Sequence, residues 1–216
     1  TCVIYFVFGG IFNGYLPGDR GYFFWVFSGF TLQMYVLTGM TLTANLIISN
    51  LKLILNYRLN PVLIAVGVSF SQALNFLIAS CAVLIVGIFT TSGISPRIIL
   101  LPIFAIFVAL FLSGTGMILF HYFLRYEDAS YLFNVAIMII SYLSPFLYTF
   151  DILKKPLLDV VSANPITSFI LTFRWLIVDD LSLNPWRLVV ISCFSLLMFV
   201  VGLQHLRRSW NETVML

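Results

Sequence analysis

Charged residues are scarce in this chain of 216 residues, since aspartate, glutamate, lysine and arginine together make up 9% of it. A soluble globular domain carries about 25% charged residues, so the composition excludes an ordinary soluble fold. Hydrophobic residues, in contrast, reach 61%. The net charge of +3 is too small to indicate a nucleic-acid partner, which a concentrated basic surface would mark.

Cysteine and histidine are also rare, with three and two copies. Cys2, Cys81 and Cys193 stand singly in apolar segments, without the spacing of a disulfide or a metal site, and so resemble small apolar residues. The chain contains no G-x-x-x-x-G-K-[ST] loop that would cradle the phosphates of ATP. We therefore expect no metal, no cofactor and no enzymatic activity in this chain.

Long apolar segments dominate what is present. Because roughly 20 apolar residues cross a bilayer core of about 30 Å, we predict membrane spans at 22–46, 61–89, 98–120, 132–150 and 186–206. Residues 1–11 indicate the end of a sixth span whose start, with the N-terminus, is missing. In lipid, continuous apolar runs must be helices. The predicted fold is an all-α integral membrane protein, with one transmembrane domain of six helices over 1–216.

Two connections carry distinct patterns. In 47–60 the apolar residues Leu51, Ile54 and Leu55 recur at helical spacing beside Lys52 and Arg58, which predicts an amphipathic surface helix. The connection 120–131 holds the densest charge cluster, formed by Arg125, Glu127 and Asp128. From the residues alone, each of these segments is either a solvated surface or a contact for a partner.

The longest connection, 151–185, contains a segment that we predict to enter the membrane and return, at 156–181. Residues 166–173 are apolar enough to lie in lipid, and Pro165 suits the start of a helix. We expect Arg174 and Trp175 to anchor the segment at the level of the lipid headgroups, because arginine extends to that level and tryptophan prefers it.

Polar side chains form a stripe along the predicted span 22–46 and a smaller patch on the predicted span 132–150. Ser28, Thr31, Tyr35 and Thr38 recur at steps of three and four, which places them on one helical face. The predicted span 132–150 adds Tyr142 and Tyr148. Hydroxyl groups of this kind either join helices in a membrane or line a path for a hydroxyl-rich substrate.

Three stretches, in their order and spacing, resemble the membrane (permease) subunit of ABC-type polysaccharide exporters, the family that serves O-antigen, teichoic acid and related cell-surface glycans. They comprise residues 28–29 with 45–50, then 125–128 with 131–132 and 144–148, and finally 164–167 with 173–175. The resemblance covers essentially the whole chain. It implies a multi-pass protein of the bacterial cytoplasmic membrane, with the N-terminus, 47–60 and 120–131 inside the cell and 151–185 outside.

The resemblance also implies partners and residue roles. The chain would form a homodimer in membrane lipid with two copies of an ABC ATPase subunit, which would hold ATP and magnesium, and would export a lipid-linked glycan. The helix at 47–60 would be a coupling helix, and the coupling residues would be Asn50, Lys52, Arg58, Arg125, Glu127 and Asp128. The outer gate would contain Asn164, Arg174 and Trp175. The substrate path would contain Ser28, Thr31, Tyr35, Thr38, Tyr142 and Tyr148.

Two alternatives stay open. The first is an exporter of a drug or a lipid within the same ABC class, and the second is a membrane protein that binds or scaffolds without transport. A channel or a secondary carrier is less favoured, because such carriers usually keep charges at the middle of the membrane. Every charged residue of this chain lies in or near a connection.

Overall fold

The computed structural model describes residues 19–90, 93–148, 154–178 and 186–214, and within this part the regular structure is helical. In chain order the helices are α1 (Asp19–Ser49), α2 (Leu51–Tyr57), α3 (Pro61–Thr90), a 3₁₀ segment (Pro96–Leu100), α4 (Leu101–Arg125), α5 (Ala129–Tyr142), α6 (Leu157–Ala163), α7 (Pro165–Ile177) and α8 (Trp186–Val214). The described residues contain one isolated β-bridge, between Ile94 and Val178. The all-helical prediction is therefore confirmed for the described part.

Within the described residues, four helical segments are long and apolar enough to cross a membrane: Tyr22–Ser49, Pro61–Thr90, Pro96–Arg125 and Trp186–Trp210. A fifth is added if α6 and α7, which are bent by 76° at their junction, count as one broken span. The structure thus supports a multi-pass membrane protein with four or five candidate spans in the described part, whereas six were predicted. The predicted span at 1–11 lies outside the described residues.

The predicted span at 132–150 differs most from the structure. Its helix, α5, has 14 residues and ends at Tyr142, and turns follow as far as Tyr148. Pro145 explains the early end, because proline disfavours helical geometry at the residue before it and supplies no backbone donor. Hydropathy alone extended this span through residues that cannot continue the helix.

The chain divides into two compact units. Unit 1 comprises Thr1–Met34, Phe76–Phe104 and Ile139–Ile191, and unit 2 comprises Tyr35–Asn75, Ala105–Met138 and Ser192–Leu216. In unit 1, the ring of Phe173 lies 5.0 Å from that of Phe76 and 6.2 Å from that of Phe104. These buried aromatic rings form part of the core around α7.

In unit 2 the core joins the short helix α2 to four long helices. Ile54 of α2 is 1% exposed and packs with buried residues of α1, α3, α4 and α8, namely Ala44, Ile47, Ala65, Met117, Phe120 and Leu206. The other residues of α2 are exposed or partly exposed. The helix predicted within 47–60 is present at 51–57, while α1 continues to Ser49. Ile54 is thus the fully buried anchor of α2, and the partly buried Leu51 packs against the same core.

Small residues allow close helix packing in unit 2. A Cβ atom added to Gly202 of α8 would collide with the carbonyl oxygen of Gly114 of α4, and one added to Gly114 would collide with the backbone carbonyl of Met198. The two backbones therefore touch without side chains between them, as is common where membrane helices pack.

Candidate functional site: three distant stretches meet at Arg174

Asn164 fixes the start of α7. Its Oδ1 atom accepts a hydrogen bond of 3.0 Å from the backbone N–H of Ile166, and Pro165 occupies the first turn. This arrangement is a helix N-cap, in which the side chain replaces a missing backbone acceptor. The Nδ2 atom of Asn164 also donates to the hydroxyl of Ser144 over 3.1 Å. Asn164 therefore attaches the α7 start to the residues that follow α5.

Arg174, one turn before the end of α7, is fully buried. Its Nε donates to Ser28 Oγ over 3.3 Å, and its Nη1 donates to the carbonyl of Pro145 over 3.0 Å. Its Nη2 donates to the carbonyl of Trp25 over 2.6 Å and to that of Phe146 over 3.5 Å. The guanidinium carbon lies 3.7 Å from the centre of the Trp25 ring.

The interactions of this cation are with neutral groups throughout the described part of the chain. Carbonyl dipoles and the face of an indole ring both stabilise positive charge. The guanidinium fits because it offers five N–H donors in a rigid plane, whereas an ammonium is a compact point charge. Arg174 thus joins three segments through neutral partners among the residues that the structure describes.

Arg174 does not lie where the sequence analysis placed it. We expected the side chain to extend to the lipid headgroups, but the structure leaves it 0% exposed. The reason is that carbonyls near the end of α5 and in the first part of α1 satisfy its donors inside the protein. Buried polar groups in folded proteins have their hydrogen bonds satisfied by the protein, as the donors of Arg174 do here.

Gly29 leaves room for the arginine. A Cβ atom at this position would lie 2.5 Å from Nη2 of Arg174 and 2.9 Å from Cβ of Phe146. One turn before Gly29 in α1, Nε1 of Trp25 donates a hydrogen bond to the carbonyl of Tyr148 over 3.2 Å. We call Trp25, Ser28, Gly29, Pro145, Phe146 and Arg174 the Arg174 cluster; all of its members belong to unit 1.

The other end of α7 is attached to the segment before α4. The guanidinium carbon of Arg97 lies 4.6 Å from the centre of the Trp175 ring, and its Nη1 donates to the Trp175 carbonyl over 3.3 Å. The N–H of Ser95 donates to the carbonyl of Ile177 over 2.9 Å. The predicted gate residues therefore all hold α7 within unit 1: Asn164 and Arg174 contact the turn after α5, Arg174 also contacts α1, and Trp175 contacts the segment before α4.

The predicted path residues do not share one environment in this single chain. Ser28 and Tyr35 are buried, and Thr31 is half-buried, with its hydroxyl bonded to the carbonyl of Phe27 over 2.8 Å. Thr38 and Tyr142 are exposed. Tyr148 is half-buried, and its hydroxyl donates to the carbonyl of Leu143 over 3.0 Å. The hydroxyl of Ser28 accepts from Arg174 and donates to the carbonyl of Trp25 over 3.1 Å, so its role as a path residue stays a prediction.

The predicted coupling residues lie at the surface of unit 2. Lys52 and Arg58 are exposed on and just after α2, and Asn50 donates from Nδ2 to the Leu46 carbonyl over 2.8 Å. Arg125, Glu127 and Asp128 are exposed where α4 ends and a turn leads to α5. Both segments belong to the same unit, although they are separated by more than sixty positions in sequence.

Three participants in the site were missed from the sequence. Trp25 and the carbonyls of Pro145 and Phe146 complete the arginine's surroundings. A backbone carbonyl has no sequence signal, whereas Trp25 lies one helical turn before Ser28 and shares its face. Arg97, which contacts Trp175, is a further participant that no sequence pattern singled out. Among described residues no group of three or more metal-ligating side chains occurs.

Comparison with known proteins adds no identification. No protein-family model matches the chain, and no curated protein matches it.

Proposed function

We propose that this chain is the membrane subunit of an ATP-driven exporter that moves a lipid-linked polysaccharide across the bacterial cytoplasmic membrane. It acts as a homodimer with two separate ATPase subunits. The candidate membrane-crossing helices of the described part support a membrane location. The sequence given contains no phosphate loop, which is consistent with ATP hydrolysis by a partner subunit.

The convergence at Arg174 is the observation that carries the proposal. The three stretches on which the family resemblance rests lie far apart in sequence, yet Arg174 of the third contacts Ser28 of the first and Pro145 of the second. Asn164 of the third likewise contacts Ser144 of the second. A chance likeness of short motifs gives no reason for them to meet, whereas a shared architecture does.

The surface of unit 2 suits an energy-coupling role. A partner that moved α2 would move Ile54, which is buried among residues of four long helices. The exposed cations Lys52 and Arg58 and the exposed carboxylates Glu127 and Asp128 offer both signs of charge to a partner. Such groups favour orientation and encounter with a complementary surface. In the proposed orientation this surface faces the cytoplasm.

The first experiment tests the division of labour between subunits. Purification of the tagged chain from its own host in mild detergent should recover an ATPase subunit, and the isolated chain should bind no ATP in isothermal titration calorimetry. Reconstituted complex should move the host's lipid-linked glycan into vesicles when ATP and magnesium are supplied. Micromolar binding of ATP by the isolated chain would contradict the proposal.

A second experiment tests the cytoplasmic charge cluster. Asp128→Ala should lower glycan export and the stimulation of ATP hydrolysis while the assembled complex is still recovered. The matched control is Lys154→Ala, because Lys154 is also exposed but belongs to unit 1. Unchanged export with normal expression would show that the turn at 126–128 is only a solvated connection without a role in coupling.

The alternative within the same class is an exporter of a drug or a lipid. Vesicles that accumulate a fluorescent phospholipid or a cationic dye, but no glycan, would select that alternative. A chain that recovers no ATPase and transports none of these compounds would select a binding or scaffolding role.

A further inference from the structure

Asn75 is an exposed residue at the middle of a long apolar helix. It is the fifteenth of the thirty residues of α3, which is one of the candidate membrane-crossing helices. At 1.5 Å per residue, each end of α3 lies about 21 Å or more away from Asn75, whereas the bilayer core is about 30 Å thick. A membrane-crossing α3 therefore holds the carboxamide of Asn75 near the centre of the hydrocarbon layer.

The carboxamide of Asn75 needs a polar partner at this depth. It carries two N–H donors and an acceptor oxygen, and it makes no hydrogen bond to a residue in the part of the chain that the structure describes. Lipid tails offer neither donors nor acceptors. The neighbouring side chains of Leu74 and Ile78 are also exposed, so the surface around the amide is apolar and does not suit a water-filled path. The partner must come from protein.

Positions four apart form one exposed row along α3 that leads to Asn75. The row consists of Leu63, Gly67, Ser71 and Asn75, all within unit 2. Residues four apart make a ridge on the surface of a helix. The hydroxyl of Ser71 donates to the carbonyl of Gly67 over 3.0 Å, so it is satisfied by its own helix. Small residues four apart are typical of places where two membrane helices approach closely.

Gly67 has no structural reason inside the chain. A Cβ atom at this position would meet nothing within 4 Å, whereas Gly114 and Gly202 are each held against a neighbouring backbone. Within a helix, glycine is less favourable than alanine, and the single chain would accept alanine at position 67. A second backbone that approaches α3 from outside the chain accounts for the glycine.

The opposite face of α3 is already in use within unit 2. Ser69 is buried, and its hydroxyl lies 3.3 Å from that of Thr43 in α1. The exposed row points away from this contact, because Ser69 and Ser71 lie about 200° apart around a helix of 3.6 residues per turn. The row is therefore available to a helix of another molecule.

The chemistry of the row fits α3 of a second copy. A carboxamide both donates and accepts, so the Asn75 side chains of two copies can hydrogen-bond to each other across a two-fold axis. A two-fold contact joins the same patch of both copies. The row contains no charged residue that the symmetry would set against its own copy.

We propose that α3 crosses α3 of a second copy at Gly67 and Ser71, where the two Asn75 carboxamides hydrogen-bond to each other at the centre of the membrane. The inference rests on the homodimer of the proposed function and names a helix through which the two copies meet. Ile78 lies three positions after Asn75, so it falls outside the row and outside this contact.

The first test is disulfide formation between copies in the membranes of the host. Cys2, Cys81 and Cys193 are replaced by alanine in the full chain, and Ser71→Cys then supplies the single thiol. A membrane-permeant copper oxidant should join most of the chains into disulfide dimers, because a close crossing brings the two Cα atoms within the roughly 4.4–6.8 Å that a disulfide needs. Leu74→Cys is the control, exposed on α3 but outside the row, and it should give several times less dimer.

A second set of variants separates the amide from the fold. Asn75→Leu keeps a side chain of similar size without its polar atoms, so the thermal stability of the single chain in detergent should not fall. The association constant, measured by energy transfer between labelled copies in lipid vesicles, should fall about tenfold. Asn75→Gln keeps a carboxamide and should recover most of the association. Equal association of Asn75→Leu and the unchanged chain would overturn the proposed amide pair.

The outcomes distinguish this contact from the proposed function. If differently tagged copies purify together and export glycan, but Ser71→Cys forms no more dimer than Leu74→Cys, the copies meet elsewhere and only the α3 contact is wrong. A disulfide from position 71 to a different membrane protein would also overturn the self-contact, by assigning the row to that protein. If tagged copies do not purify together and no glycan is exported, the proposed function itself is wrong.

Discussion

Trp25 and Arg174 contact each other in two ways: the indole ring lies under the guanidinium carbon at 3.7 Å, and the Trp25 carbonyl accepts a hydrogen bond of 2.6 Å from Nη2. A desolvated cation–π contact is worth about 2 kcal/mol or more. Together with the Pro145 carbonyl, this pair joins α1, the turn after α5 and α7. We therefore expect the stability of unit 1 to depend on Arg174.

The close approach at Gly29 predicts a cost for the smallest side chain. Gly29→Ala should lower the free energy of unfolding by roughly 1–3 kcal/mol, because the new methyl group would displace the arginine or Phe146. Gly67→Ala is the control, since Gly67 lies within α3 and a Cβ there meets nothing within 4 Å. That variant should gain about 0.5–1 kcal/mol. Thermal denaturation in detergent measures both, and equal effects would contradict the prediction.

The shape of the guanidinium, beyond its charge, should matter. Arg174→Lys keeps a cation but cannot reach the carbonyls of α1 and of the turn after α5 at once, so it should lower the free energy of unfolding by roughly 3 kcal/mol. The half-buried Arg97 provides the comparison. Arg97→Lys should cost about 1 kcal/mol or less, because hydrogen bonds at partly exposed sites are worth less. Unfolding at graded denaturant concentrations reports both, and a tolerated lysine at 174 would show that charge alone is sufficient.

Ile54 should connect α2 to the rest of unit 2. Ile54→Ala removes a 1%-exposed side chain from the core and should cost roughly 2–5 kcal/mol. Leu55→Ala, next to it and exposed, should change stability by about 0.5 kcal/mol or less. In the assembled complex only the first should weaken the coupling of ATP hydrolysis to export. Full coupling in Ile54→Ala at a temperature where it stays folded would assign energy transfer to another contact.

A large side chain at Thr38 tests the predicted path. Thr38 is exposed on α1, so Thr38→Trp should leave the thermal unfolding temperature nearly unchanged while it blocks glycan export. Ile78→Trp changes an exposed position on α3 that is outside the polar stripe, and it should export normally. If both variants export normally, the stripe does not face the path.

The sequence predicted the long helices well, because uninterrupted apolar length is a local property. The segment 61–89 corresponds to Pro61–Thr90, and 186–206 begins with the helix at Trp186. The start of α7 at Pro165 is also confirmed, since asparagine followed by proline is itself a helix-start signal. The end of α5 was misjudged because the strong hydropathy of its neighbours outweighed the local effect of Pro145.

The candidate site was predicted in some of its members and not in its geometry. Arg174, Asn164 and Ser28 were all selected, but their meeting depends on contacts across 146 positions for Arg174 and Ser28. Periodicity reports which face a residue occupies and carries no information on which distant backbone will lie opposite. For the same reason, a membrane-anchoring role was expected for an arginine that in fact lies inside the protein.

The contact between Gly114 and Gly202 has a mechanical consequence. Two helices that touch through their backbones have no compressible layer between them, so they cannot move closer together. Their separation can only increase, and that would expose peptide groups that are now shielded. At the level of this glycine pair, the backbone contact therefore sets the minimum spacing of α4 and α8.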